Sequence, residues 1–411
     1  MKEDLLLVFA YHFPPDSAIG AARPFRFCKY LDRLGYDSYT ITAADVRSRP
    51  DLKAEYVPDP FIARPREGFG WQVERFIRKF LLPGVTGTQW AVLAYRAARK
   101  FVAQDPNRRV TIFSTFPPLG THLAAFLLAR KTGYPWIADF RDPLADNPGS
   151  GDLNDFQHKI YRRLERTFVN RAARVIANTD AAETRLKSMY PARAGNVHLI
   201  WNGFDPEQRL EALPLLENSC RVFSHVGELY EGRSITPLLE SIKRLLDAGR
   251  LEQNKIKIRL VGAARTSSLP DPAFLEAATT EGWLDLIPHH VPQAEAHCIM
   301  QSSDGLLLVQ PHSTLQVPGK LYEYLQIGRP ILAFVPPHSS IERILQKSGI
   351  PYACAYSTGD GSALDDAVLR FFMLESATVT PNEWFETEFN AQHHAEKLAR
   401  LIDELHKPPD R

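Results

Sequence analysis

Short apolar runs of strand length alternate with stretches of helical periodicity along the whole chain, and the alternation starts over near its midpoint. The first run, Leu5–Tyr11, is apolar throughout, as a parallel strand covered on both faces requires. Further strands are predicted at Asp37–Thr42, Val110–Thr115, Trp136–Phe140, Val175–Asn178 and Val197–Trp201. Helices are predicted between them at Ala22–Leu34, Thr121–Lys131, Gln157–Arg171 and Ala181–Met189. A second series follows. Its strands are Arg221–Val226, Ile256–Val261, Leu284–Ile287, Gly305–Val309, Ile331–Val335 and Tyr352–Tyr356, and its helices Pro237–Leu246, Ala294–Ser302, Leu321–Ile327 and Ile341–Lys347. Such alternation implies parallel sheets with helices on both faces. Two doubly wound α/β domains joined near Phe204–Leu216 account for it, with Glu383–Leu405 expected as one amphipathic helix, broken at most near its start.

Composition narrows the function classes. The 411 residues carry 49 Lys and Arg against 48 Asp and Glu, so the basic excess of a dedicated nucleic-acid binder is missing. Cys28, Cys220, Cys298 and Cys354 form no Cys-x-x-Cys pair, which argues against disulfide staples and a structural zinc site and for a reducing compartment. The apolar runs fall far short of the roughly 20 residues a membrane helix needs. Glu3 and Asp4 ahead of the first run do not fit a secretory signal. A cytoplasmic protein is expected.

In open α/β sheets ligands bind beyond the carboxyl ends of the strands, so the segments there hold the candidate chemistry. After the first strand, Phe13-Pro14-Pro15 leads through Gly20 to Arg23; the small residues would let an anion approach a helix start, and an ordinary turn is equally compatible. Phe116-Pro117-Pro118-Leu119-Gly120-Thr121-His122 repeats the idea, with His122 as a ligand-facing or a packing residue. Asp139-Phe140-Arg141-Asp142 closes a buried strand with three charges, which either pair internally or orient a polar substrate. In the second series, Gly227 frees the backbone and Arg233 can bind phosphate. Lys320, after Gly319 at a helix start, is unfavourable for the dipole unless an anion sits there. Glu323 can accept from a vicinal diol or cap the helix. Gly-x-Gly-x-x-Gly after a strand, Walker A, His-Glu-x-x-His and Gly-x-Ser-x-Gly strings are missing, which removes the main support for dehydrogenases, P-loop kinases, zincins and typical α/β-hydrolases.

In this order and spacing, these motifs resemble the GT-B glycosyltransferases of family 4. The strongest match is Lys320-Leu321-Tyr322-Glu323-Tyr324-Leu325 followed by Gly328-Arg329-Pro330, with Asn202-Gly203-Phe204-Asp205 at the end of the first domain. The resemblance implies two Rossmann-like domains facing across a cleft. Residues 1–206 would bind the acceptor, 207–384 the nucleotide sugar, and 385–411 would form a helix crossing back to the first domain. It implies a retaining transfer with no bound cofactor or metal, and a UDP-, GDP- or other nucleotide-linked donor. The implied catalytic set is Asp139, Arg141, Asp142, Arg233 and Lys320. The implied donor set is Gly20, Gly227, Arg233, Gly319, Lys320, Leu321 and Glu323, and the implied acceptor set Arg23, His122 and Asp142. Three positions depart from the family pattern. Leu315 stands where the first glutamate of Glu-x7-Glu belongs, Glu228 where an arginine often follows the glycine, and Arg141-Asp142 where a His-Asp pair is frequent.

The stretch Phe61–Pro83 interleaves Arg64, Arg66, Arg75, Arg78 and Lys79 with aromatic and aliphatic residues. It fits either peripheral contact with an anionic membrane or an ordinary docked helix. The expected partners are a nucleotide sugar and a glycan or lipid-linked acceptor of surface-polysaccharide synthesis, and no nucleic acid. The rival readings are a degenerate GT-B binding subunit, a GT-B nucleotide-sugar epimerase and a dinucleotide oxidoreductase.

Overall fold

Successive residues of a strand point to opposite faces of its sheet, and the first strand shows why its sequence is apolar without alternation. In the computed structural model, which describes residues 4–16, 18–60, 72–73, 76, 87–145, 154–215, 220–230 and 233–407, Leu5, Leu7 and Phe9 enter one hydrophobic core and Leu6 and Val8 another. The expected stretch 61–83 lies outside the described residues except at 72–73 and 76.

The first unit comprises Met1–Asp205 and Phe389–Arg411. Its strands are β1 (Asp4–Phe9), β2 (Asp37–Thr42), β3 (Ala54–Tyr56), β4 (Arg109–Phe116), β5 (Trp136–Phe140), β6 (Arg174–Ala177) and β7 (Val197–Leu199), and its helices before the crossover are α1 (Ile19–Arg33), α2 (Thr88–Val102), α3 (Leu119–Thr132), α4 (Asp155–Arg171) and α5 (Asp180–Met189). The sheet is parallel in the order β3-β2-β1-β4-β5-β6-β7. Helices α2, α3 and α4 cover one face through Trp90, Ala94, Leu128 and Phe168. Helix α1 lies on the other through Phe27, Tyr30 and Leu31.

The second unit, Pro206–Glu388, contains β8 (Arg221–Val226), α6 (Thr236–Asp247), β9 (Ile256–Val261), α7 (Pro272–Thr280), β10 (Leu284–Ile287), α8 (Gln293–Gln301), β11 (Gly305–Val309), α9 (Lys320–Ile327), β12 (Ile331–Val335), α10 (Ser340–Ser348), β13 (Tyr352–Tyr356), α11 (Gly361–Phe372) and α12 (Glu383–Glu388). Its sheet is also parallel, in the order β10-β9-β8-β11-β12-β13. The strand order reverses at β1/β4 in the first unit and at β8/β11 in the second, and such reversals open a crevice at the strands' carboxyl ends.

The chain's last long helix, α13 (Ala391–His406), packs on the first unit beside α1 through Ala395, Leu398 and Ile402. The break expected near the start of Glu383–Leu405 falls at residues 389–390, between α12 and α13. Between α12 and α13 the backbone pairs with Phe204, which donates to the Phe389 carbonyl at 2.9 Å and accepts from the Ala391 N–H at 3.0 Å. A helix cannot continue through a backbone engaged in this bridge, and Asn390 starts α13 afresh by accepting from the Gln392 N–H. A Cβ on Gly203 would lie 1.8 Å from the Phe389 carbonyl oxygen, so only glycine fits this crossing. The residues that rejoin the first unit begin at Phe389 rather than at 385. Among the described residues no helix is long and apolar enough to cross a membrane.

Candidate functional site

At the β1/β4 reversal the structure consumes most of the expected polar groups internally. Arg23 donates to both oxygens of Asp139 at 3.0 and 2.7 Å, to the carbonyls of Trp201 and Ile200 at 2.6 and 2.9 Å, and to Asn202 Oδ1 at 3.2 Å. A guanidinium has five N–H groups, and all five are used. Asp139 is fully buried and also accepts from Thr115 Oγ1 at 2.8 Å. The expectations that Arg23 binds acceptor and Asp139 acts in catalysis are therefore corrected. The pair is a buried brace that ties α1 and β5 to the Ile200–Asn202 segment.

His122 is corrected as well. Its side chain is fully buried among Phe116, Trp136, Phe140 and Phe168. Its Nδ1 lies 2.8 Å from Ser114 Oγ, which also accepts from the Trp136 indole, and its Nε2 has no hydrogen-bond partner among the described residues. Burial pushes its pKa down to about 3, so the ring is neutral and belongs to the core, where an acceptor cannot reach it.

Arg141 works on the backbone. It donates to the carbonyls of Phe116, Gly20 and Pro117 at 3.2, 2.8 and 2.7 Å, clamping the first turn of α1 to the end of β4 and the residue after it. Gly20 is small because of this clamp; a Cβ there would sit 2.8 Å from Arg141 Nη1. The following loop is anchored by fully buried Glu165, which accepts from the Ala145 N–H at 3.0 Å, from Tyr190 at 3.0 Å and from Arg185 at 3.2 Å. Half-buried Asp142 lines a small cavity beside Pro143, Glu165 and Arg185.

The β8/β11 reversal in the second unit is different, because it gathers cations around glycine backbone. Gly227 ends β8 with φ +115° and Gly262 ends β9 with φ +119°, a region that L side chains rarely adopt. A Cβ on Gly227 would meet Lys320 Nζ at 2.8 Å, and one on Gly262 would meet the Gly227 backbone at 2.8 Å. Gly227 thus lets the ammonium lie against the end of β8, and Gly262 lets the Gly227 backbone lie close to the end of β9.

Lys320 is the first residue of α9, and its Nζ lies 3.3 Å from His225 Nε2. His225 is buried, and its Nδ1 sits 2.9 Å from the Leu307 carbonyl. A carbonyl only accepts, so Nδ1 carries the proton and Nε2 accepts from the lysine. Burial, then the Lys320 charge, holds the His225 pKa well below its usual range. Burial, reinforced by Arg233, pushes Lys320 down to about 7, with Glu323 and Glu228 opposing. Arg233 stacks over the Tyr230 ring at 4.2 Å. Glu228 meets exposed His290 at 2.9 Å, and Glu323 lies 3.7 Å from His297.

The structure thus brings Lys320, Gly227, Arg233 and Glu323 into one neighbourhood. Gly319 is exposed with open space around its Cα, whereas Leu321 is fully buried in the second unit's core. Leu321, expected among the donor-binding residues, keeps its side chain in the core, and its backbone N–H donates to the Pro318 carbonyl at 3.0 Å. Leu315 is half-buried and offers no polar atom from its side chain. Sequence reasoning missed His225 and Gly262. The available signals were one imidazole in an otherwise apolar strand end and a glycine directly after a neighbouring strand.

A lysine with a lowered pKa, a nearby arginine and the positive end of α9 beside glycine backbone are an arrangement that can receive an anion with several oxygens. Comparison with known proteins gives this geometry a context. Residues 24–208 match the family described as Glycosyltransferase Family 4. A D-inositol 3-phosphate glycosyltransferase from Gordonia bronchialis is 24% identical over 259 residues, covering 61% of this chain and 54% of that protein. The chain thus spans about half the length of this curated relative. Two solved structures match almost end to end. Sucrose-phosphate synthase from Thermosynechococcus elongatus has a TM-score of 0.68 at 12% identity, with 98% of this chain and 99% of that one covered. Anabaena Alr3699/HepE in complex with UDP and glucose has a TM-score of 0.62 at 12% identity, with 97% and 99% covered. The fold is GT-B: two parallel α/β units, with the chain's last helix packed on the first.

Proposed function

We propose, for a GT-B chain whose first unit carries a Glycosyltransferase Family 4 match, that it transfers a sugar from a nucleotide-sugar donor to a glycan or lipid-linked acceptor. The bond from the sugar's anomeric carbon to the diphosphate breaks, and a bond from that carbon to an acceptor oxygen forms. The acceptor's proton leaves with the diphosphate. In this reading the second unit takes the donor. Lys320 and Arg233 neutralise the charge that develops on the leaving diphosphate, and backbone N–H groups at the start of α9 assist. Glu323 accepts from the ribose diol. Transfer with retention, without a bound metal, and a place in surface polysaccharide or glycoconjugate synthesis belong to the same proposal. In the first unit Asp142 is the acceptor-side carboxylate, because Asp139 and Arg23 are spent on one another.

The observation that carries this reading is the Lys320 ammonium, held against Gly227 at the carboxyl end of β8 and within the field of Arg233. A cation kept there at the cost of its own pKa is explained by an anion that binds it. The complex of Alr3699/HepE with UDP and glucose supports a nucleotide sugar as that anion.

A thermal-shift panel of UDP-, GDP-, ADP- and CMP-linked sugars tests the proposal, because a ligand that binds only the folded state raises its stability. One donor should raise the melting temperature, and the same donor should be hydrolysed slowly without acceptor. Lys320→Ala and Arg233→Ala should each lose most transfer with the fold intact, and near-normal rates in both would refute the diphosphate assignment. Binding without turnover of any donor would favour a degenerate binding subunit, the reading that Leu315 and Glu228 suggest.

A further inference from the structure

The three helices on one face of the first unit hold a disproportionate share of the chain's positive charge. Together α2, α3 and α4 contain ten of its 49 Lys and Arg but only two of its 48 Asp and Glu. All ten basic residues are exposed. Helix α2 contributes Arg96, Arg99 and Lys100, and α3 contributes Arg130 and Lys131. Helix α4 contributes Lys159, Arg162, Arg163, Arg166 and Arg171. Of the two acidic residues, Glu165 is fully buried against Arg185 and Tyr190, and Asp155 sits in the first turn of α4, where it suits the helix dipole.

The segregation runs against helix stability. Lys159, Arg162, Arg163 and Arg166 are spaced three and four residues apart on one stripe, where like charges repel. Outside these helices the chain is net acidic, so the +1 total hides one basic face. Each of the three helices also exposes a large apolar side chain on its outer surface: Val92 at 45%, Leu127 at 38% and Phe156 at 53%. Singly, such residues are ordinary. Set among clustered cations on adjacent helices, they match a surface that is anionic outside and apolar a few ångströms deeper.

We propose that this face of α2, α3 and α4 docks on an anionic lipid surface, the cations meeting headgroups and Phe156, Leu127 and Val92 entering the acyl boundary. A soluble polyanion would use the charge but leave the three apolar side chains in water. The inference uses no residue of the donor site and stands apart from the proposed activity.

Vesicle sedimentation with the full chain tests it. Phosphatidylcholine vesicles with about 30% phosphatidylglycerol should retain the protein at low salt and release it at about 0.5 M salt, and pure phosphatidylcholine should not retain it. At roughly fivefold per basic residue, Lys159→Ser, Arg163→Ser and Arg166→Ser combined should weaken retention roughly 100-fold with an unchanged melting temperature. Phe156→Ser should lose several-fold and keep its salt dependence. Failure of the wild type to bind, equal retention on neutral vesicles, or undiminished retention of the triple variant would overturn the proposal. So would tight binding to heparin with no vesicle retention, which would assign the face to a soluble polyanion.

Discussion

With Lys320 holding the donor's diphosphate as proposed, donor binding should titrate. Free, its ammonium is pushed down to about 7 by burial and by Arg233, so near pH 7 about half of the molecules carry the charge. A bound diphosphate favours the charged form and returns the lysine toward its ordinary 10.5. Binding then takes up a proton, about half of one at pH 7 and nearly one at pH 8.5. At pH 9 only about 1% of free sites are charged, so affinity should fall about 50-fold between pH 7 and 9, about 2.3 kcal/mol, and level off below pH 6. Calorimetry with a nucleotide sugar, in two buffers of different ionisation enthalpy, measures both affinity and proton uptake. Lys320→Arg keeps its charge throughout and should bind with a flat profile. Lys320→Ala should bind weakly, also without slope. A flat wild-type profile from pH 6 to 9, or a slope that survives in Lys320→Ala, would refute the reasoning. Stability carries the reverse sign. Charging the free lysine opposes folding below about pH 7, and that loss is recovered as pH rises from there toward 10.5.

Gly227→Ala puts a Cβ 2.8 Å from Lys320 Nζ at φ +115°; it should cost about 1–3 kcal/mol in chemical denaturation and abolish the donor-induced thermal shift. His122 is held neutral with its pKa down to about 3, so the unfolded chain takes up a proton first as pH falls through 6.5, and stability drains between there and about pH 3. His122→Phe should flatten that loss, read as the difference between urea midpoints at pH 7 and 4.5. Arg23→Ala leaves Asp139 buried without its counter-charge and should cost about 3–5 kcal/mol, measured by denaturant unfolding. Arg23→Lys should recover only part of that loss, because an ammonium cannot supply five N–H groups in a plane.

Much of the fold is legible in local sequence. Every strand expected in the second unit, from Arg221–Val226 to Tyr352–Tyr356, forms over its expected residues. Strands β11 and β12 announce themselves as unbroken apolar runs, and β9 by alternation of apolar and charged residues. Pattern reading omitted β3 and the helices α2, α7 and α11. The site was legible where backbone demands dictated the residue. Gly227, Lys320 and Glu323 sit at a strand end and a helix start, and those places follow from the element order. Arg23, Asp139 and His122 sit at equivalent places and proved internal, because a strand-end position does not say which way a side chain's hydrogen bonds are spent.

Sequence by itself determined the alternation of strands and helices, their grouping into two parallel α/β units, and the glycine-rich strand ends where an anion can approach. These are local matters of periodicity, helix starts and backbone freedom. Tertiary structure alone decided which charges remain for chemistry. The Arg23 guanidinium meets Asp139 across 116 residues and is exhausted there. The Lys320 ammonium meets neutral His225 across 95 residues. It lies against Gly227 and gains only the more distant charges of Glu323 and Glu228, so its pKa stays low. The same is true of the net charge: its sum is a property of the sequence, and its collection onto one face is a property of which helices lie side by side. Coulomb and desolvation energies depend on distances in space, and the fold alone sets those distances.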